Sequence, residues 1–135
     1  MPFADTNDKY KMTQTAGLVA AGGTPTIAVG AGLDLTGTAT ISTGTRDCFG
    51  LITLLAAGTP AVSTTVATLS FSFTLDNAPT MVQMEPANAA ASALSGTSAL
   101  YVDSAAVTAT GFAIKSGAAA IVAGTTYKYW YMVVQ

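Results

Sequence analysis

The side chains able to do chemistry are few and scattered. Seven carboxylates (Asp5, Asp8, Asp34, Asp47, Asp76, Glu85 and Asp103) stand against five cations (Lys9, Lys11, Arg46, Lys115 and Lys128), and histidine is absent. Its absence removes the commonest general base and metal ligand. No Ser-His-Asp or Cys-His arrangement can be built, and one cysteine without histidine makes no ordinary zinc site. A pair of carboxylates could still serve as acid and base. Most of these aspartates, however, lie in turn-like stretches, where Asp serves local hydrogen bonding. Asp34-Leu35-Thr36-Gly37 and Asp76-Asn77 offer the oxygen ligands calcium takes, but each is too sparse to form a site alone. Gly30-Ala31-Gly32 lacks the helix and Lys-Ser/Thr pair of a phosphate loop and reads as a turn. Cys48 has Arg46 nearby, which favours a thiolate, and Asp47, which offsets it, so a buried, unreactive thiol is expected. No catalytic residue, cofactor or metal is therefore expected. Arg46 and Asp47 leave two readings open: an exposed turn, or a partly buried pair fixing loop or subunit register.

Composition narrows the classes further. The chain has 135 residues, enough for one domain and a short tail. Only 9% of residues are charged, against a usual fraction of about 25%. Half are hydrophobic, yet many of these are small alanines, and Thr, Gly and Ser dominate the rest. Net charge is −2, and without clustered Lys and Arg no nucleic-acid partner is expected. A charge-poor surface is poorly solvated alone, which points to coverage by partners. No run of about 20 apolar residues could cross a membrane as a helix. Met1-Pro2-Phe3-Ala4-Asp5 lacks the basic and apolar regions of a secretory signal. With Cys48 alone no intrachain disulfide can form, and synthesis in a reducing cytoplasm is expected.

The elements that must position these residues are short strands. Residues 1–15 carry four charges and no period, and are expected to form an extended N-terminal arm, with Phe3, Tyr10 and Met12 as apolar anchors; the alternative is a frayed N-terminus. Residues 16–135 are expected to form one all-β domain. Strand-like runs occur at 24–29, 38–43, 51–55, 66–75, 80–85, 100–103, 107–115 and 125–134, separated by Gly, Pro and Asn breaks. Leu69, Phe71, Phe73 and Leu75 are expected on one face of the fourth run. Ala87–Leu94 suits one or two helical turns. No crossover helix for a parallel sheet is visible, so the expected fold is an antiparallel β-sandwich or jelly-roll-like domain.

The last run carries large groups on both sides. Tyr127, Tyr129 and Tyr131 alternate with Lys128, Trp130 and Met132. A sandwich strand facing water should be polar on one side. Tyrosine suits a half-wet place, so Tyr127, Tyr129 and Tyr131 are expected at a subunit interface, with the core on the opposite side; the alternative is a central strand whose tyrosines pack under loops.

Three blocks carry a resemblance. The first is Gly44-Thr45-Arg46-Asp47-Cys48-Phe49-Gly50-Leu51-Ile52-Thr53-Leu54. The second runs from Ala67-Thr68-Leu69-Ser70-Phe71 through Ala78-Pro79-Thr80-Met81-Val82 to Glu85-Pro86-Ala87-Asn88-Ala89-Ala90-Ala91. The third is Thr110-Gly111-Phe112-Ala113-Ile114 followed by Ala123-Gly124-Thr125-Thr126-Tyr127-Lys128-Tyr129-Trp130-Tyr131. In this order they resemble a small β domain of bacteriophage virion proteins, found at tail-fibre tips and on capsid surfaces. The resemblance covers about residues 37–135. It implies a structural virion protein, not an enzyme, made in the host cytoplasm and working by protein–protein assembly. Because the domain nearly fills the chain, a capsid decoration or head-fibre subunit is expected, bound to virion proteins such as the major capsid protein. The resemblance also implies a homotrimer. The alternative is a tail-fibre or tail-tip module recognising a host surface glycan.

Overall fold

The structure is a computed structural model that describes residues 22–135. The expected arm of residues 1–15, with Phe3, Tyr10 and Met12, lies outside the described residues. The described chain folds into two four-stranded antiparallel sheets. One contains β1 (Thr26–Val29), β4 (Thr65–Ser70), β7 (Gly111–Ser116) and β6 (Leu100–Val102), in that order across the sheet. The other contains β2 (Thr38–Ile41), β3 (Phe49–Leu55), β8 (Thr126–Val134) and β5 (Met81–Pro86). The expected all-β sandwich is therefore present. Consecutive strands pair only in β2–β3 and β6–β7, and the other connections cross from one sheet to the other.

The core sits between the sheets because apolar side chains alternate with polar ones along most strands. The first sheet sends in Ala67, Leu69, Phe112 and Ile114, all buried. The second sends in Ile52, Leu54, Tyr127, Tyr129 and Tyr131. Register sets Ile52 opposite Tyr129, Leu54 opposite Tyr127 and Gly50 opposite Tyr131. Phe112 joins the layers, with its ring centroid 5.6 Å from Tyr131 and 6.3 Å from Phe71.

The fourth strand is shorter than its alternation suggests. It ends at Ser70, because the following backbone turns to other partners. Phe71 N–H donates to Thr110 C=O, and Ser72 N–H to the Asp47 carboxylate. Phe71 remains at the core edge, whereas Phe73 is 48% exposed. The expected four-residue apolar face of this run is thus corrected at Phe73, while Leu75 is partly buried against the core. The alanine-rich stretch forms one short helix, α1 (Ala89–Ala93). Asn88 caps it by accepting from Ala91 N–H, and the same side chain pins it to β8 through Lys128 N–H and Thr126 C=O.

The strand directions give the sandwich two poles. Loops 30–37, 56–64, 87–99 and 117–125 lie at one pole. Loops 42–48, 71–80 and 103–110 lie at the other, together with Gly22 and Gln135, whose side-chain amide donates to Asn77 C=O. Both ends of the described chain therefore leave from the same pole.

This packing predicts a graded response to truncation. Phe112→Ala should cost about 3–5 kcal/mol, the range for a fully buried aromatic. Phe73→Ala should change stability by less than about 0.5 kcal/mol, as an exposed site does. Urea denaturation of both variants checks this, and equal losses would contradict the placement of Phe73.

Candidate assembly surface

The outer face of the second sheet carries the largest exposed apolar residues of its strands. Along β8, Lys128, Trp130, Met132 and Val134 point outward, and Trp130 is 55% exposed. Neighbouring strands extend the surface in register. Leu51 lies beside Trp130, Phe49 beside Met132, and Met81 beside Val134. The polar margin consists of Glu85 beside Trp130, Gln83 beside Met132, and Thr53 beside Lys128. Gln83 donates to Glu85 at 2.9 Å, tying the margin together. Six apolar side chains thus form one continuous patch on a sheet face that fold alone would leave polar.

The tyrosines lie on the opposite face, which corrects the expected interface. Tyr127, Tyr129 and Tyr131 are 2–4% exposed and belong to the core of the single chain. Two of the three hydroxyls find hydrogen-bond partners there. The Tyr127 hydroxyl accepts from Val122 N–H at 3.0 Å, and the Tyr131 hydroxyl donates to Arg46 C=O. Burial disfavours the phenolate and pushes Tyr129 up to about 12, with nearby Tyr127 adding to the rise. Tyr131 is pushed up by burial first, and then by the charges of Asp47 and Cys48. The usable signal was the charge on β8. Lys128 shares a side with Trp130 and Met132, and a lysine marks the wet side of a strand.

Arg46 and Asp47 separate in role. Arg46 is exposed while Asp47 is 3% exposed. Asp47 Oδ1 accepts from Ser72 N–H at 2.8 Å, and Oδ2 from the Ser72 hydroxyl at 2.5 Å and Gly23 N–H at 3.1 Å. Asp47 precedes β3 in one sheet and Ser72 follows β4 in the other, so this carboxylate bridges the two layers. Of the two readings left open, loop register is the one the geometry supports, and Asp47 supplies it through backbone and hydroxyl donors. Cys48 is only partly buried, not fully as expected, and its carbonyl accepts from Val133 N–H.

The remaining carboxylates serve local structure. Asp34, at φ 67°, accepts from Thr36 N–H, the Thr36 hydroxyl and Thr59 N–H, bonds that hold it below the usual carboxylate range. Asp103 pairs with Lys115 at 2.8 Å, which lowers the acid and raises the base. Among the described residues, no group of three or more His, Cys, Asp or Glu gathers to hold a metal, and no helix is long and apolar enough to cross a membrane. No family model, curated protein or solved structure matches the chain.

Tyr129 gives the fold an alkaline limit. Its folded pKa lies above the usual value of 10, so the folded state holds the phenol proton more tightly. That contribution is complete below about pH 10. It is lost as pH rises towards about 12. The denaturant midpoint should be insensitive to tyrosine ionisation up to about pH 9.5 and then fall. Tyr129→Phe should flatten the fall. A wild-type midpoint unchanged to pH 12 would contradict the inward placement.

Proposed function

We propose that this chain is a non-catalytic structural subunit of a bacteriophage virion, a capsid decoration or head-fibre protein that works by packing against copies of itself and against other virion proteins such as the major capsid protein. The observation that carries the assembly part is the apolar outer face built from Phe49, Leu51, Met81, Trp130, Met132 and Val134. The virion setting and a trimeric state rest on the resemblance of residues 37–135 to phage virion β domains.

Size bounds what this face can do. Strands about 4.8 Å apart and residues about 3.3 Å apart make the patch roughly 15 by 20 Å, or about 300 Å² of footprint. One face-to-face contact would then cover about 600 Å² in total, half the roughly 1,200 Å² of small specific complexes. A ring of copies, or an added contact by the arm of residues 1–15, is needed. Aromatic and methionine side chains at the centre with Glu85, Gln83, Lys128 and Thr53 at the margin match the anatomy of a protein interface.

A second reading has one observation in its favour. Trp130 offers an exposed indole with Glu85, Gln83 and Lys128 close by, the aromatic-plus-polar surface a glycan module uses. The loops of the pole opposite the termini carry no aromatic residue and only Asp34 as a charge, so such a module would bind on the sheet and not at the loops.

The double variant Trp130→Glu, Met132→Glu tests the proposal. Both side chains are exposed, so thermal stability of the subunit should change little. Light scattering at micromolar concentration should show an oligomer for wild type and a smaller species for the variant. A wild-type monomer, or equal masses for the two proteins, would contradict assembly through this face. Trp130→Ala that keeps its mass but loses retention on host-surface glycans would favour the second reading.

A further inference from the structure

We infer that Asp47 and Ser72 form a fixed joint that fastens the chain to the sandwich at Gly22 and Gly23. This deepens the assembly reading and depends on it in one respect: the joint matters to attachment if the arm of residues 1–15 is an attachment element.

The joint closes from both sides of the backbone. Gly23 N–H is shared between Asp47 Oδ2 at 3.1 Å and Ser72 Oγ at 3.0 Å, and Gly23 C=O accepts from Asp47 N–H at 3.1 Å. No side chain fits at either glycine. A Cβ on Gly23 would stand 2.3 Å from Ser72 Oγ, and one on Gly22 would stand 2.8 Å from Asp47 Oδ2. Gly22 also has φ 108°, a conformation L side chains rarely adopt. The backbone is thus seated against the carboxylate at the point where a flexible linker would be left loose.

The seat is itself rigid. Asp47 belongs to the turn before β3, and that turn is held to the core by the Tyr131 hydroxyl on Arg46 C=O. Ser72 follows β4 and is held by Asp47 through both its N–H and its hydroxyl. Gly23 is therefore fixed to both sheets at once. Asp34, the other aspartate with three bonds, ties only loops 30–37 and 56–64.

Amide exchange and nitrogen-15 relaxation on the full chain test this in wild type, Asp47→Ala and Ser72→Ala. In wild type, the Gly23 amide should be protected and its order parameter should approach the 0.85 or so of rigid backbone. Asp47→Ala should speed Gly23 exchange at least about tenfold, while the amides of Leu69 and Ile114 keep their protection. Gly22 and Gly23 should then fall below an order parameter of about 0.6. Ser72→Ala should give a smaller change of the same kind, and it serves if Asp47→Ala does not fold. Unprotected Gly23 in wild type would overturn the joint. So would variants that loosen β4 and β7 in step with Gly23, since Asp47 would then be a general fold residue. Light scattering on the same samples reads assembly separately, so loss of the assembly reading would leave the exchange result standing.

Discussion

β8 brings three phenols into one core, and two of them keep hydrogen-bonded hydroxyls there. Tyr127 is matched by Val122 N–H and Tyr131 by Arg46 C=O. Among the described residues, no fully buried side-chain nitrogen or oxygen lacks a partner. These matches hold loops at opposite poles, 117–125 and 42–48, against the ends of a single central strand. They also decide which side of β8 faces inward. With the tyrosines inside, Lys128, Trp130, Met132 and Val134 must face out, and the register with β3 and β5 brings Phe49, Leu51 and Met81 beside them.

The rest of the architecture follows from that orientation. The core gains aromatic volume from Tyr131, Phe112 and Phe71, which bridge the sheets. The outer face keeps apolar groups that a lone sandwich has no use for. The Arg46 turn, secured by Tyr131, sets Asp47 between the layers, and Asp47 in turn seats Gly23. Core, exposed face and chain entry are thus linked through residues 45–49. Binding through the outer face would be driven mainly by apolar burial, because Lys128 and Glu85 are its only charges and both stand at the margin.

Much of the fold was legible in the sequence because alternation of apolar and polar residues is a direct consequence of strand geometry. All eight strand-like runs overlap a strand, and the alanine run pointed to the short helix, although its Asn88 cap emerges only in the structure. Failures occurred where the period carried no information. The run at 66–75 alternates throughout, yet the chain leaves the ladder after Ser70 because a distant aspartate captures Ser72. Nothing within the run reports on Asp47. The last strand has large groups on both sides, so period alone does not choose the inner one. The apolar outer face is therefore visible in the sequence as an anomaly without its side being fixed. Burial of Asp47 was beyond sequence reasoning, since its partners Gly23 and Ser72 lie 24 and 25 residues away on either side.

Trp130 is the only tryptophan in the chain and stands in the middle of the proposed face, so its fluorescence reports directly on whether that face is covered. Acrylamide quenching across a dilution series, with mass followed by light scattering, is the most direct measurement. If the face is an assembly surface, quenching should be weak and emission blue-shifted in the assembled state, and both should move towards the values of an exposed indole as the mass falls. Assembly that leaves Trp130 equally quenched at every concentration would contradict the account.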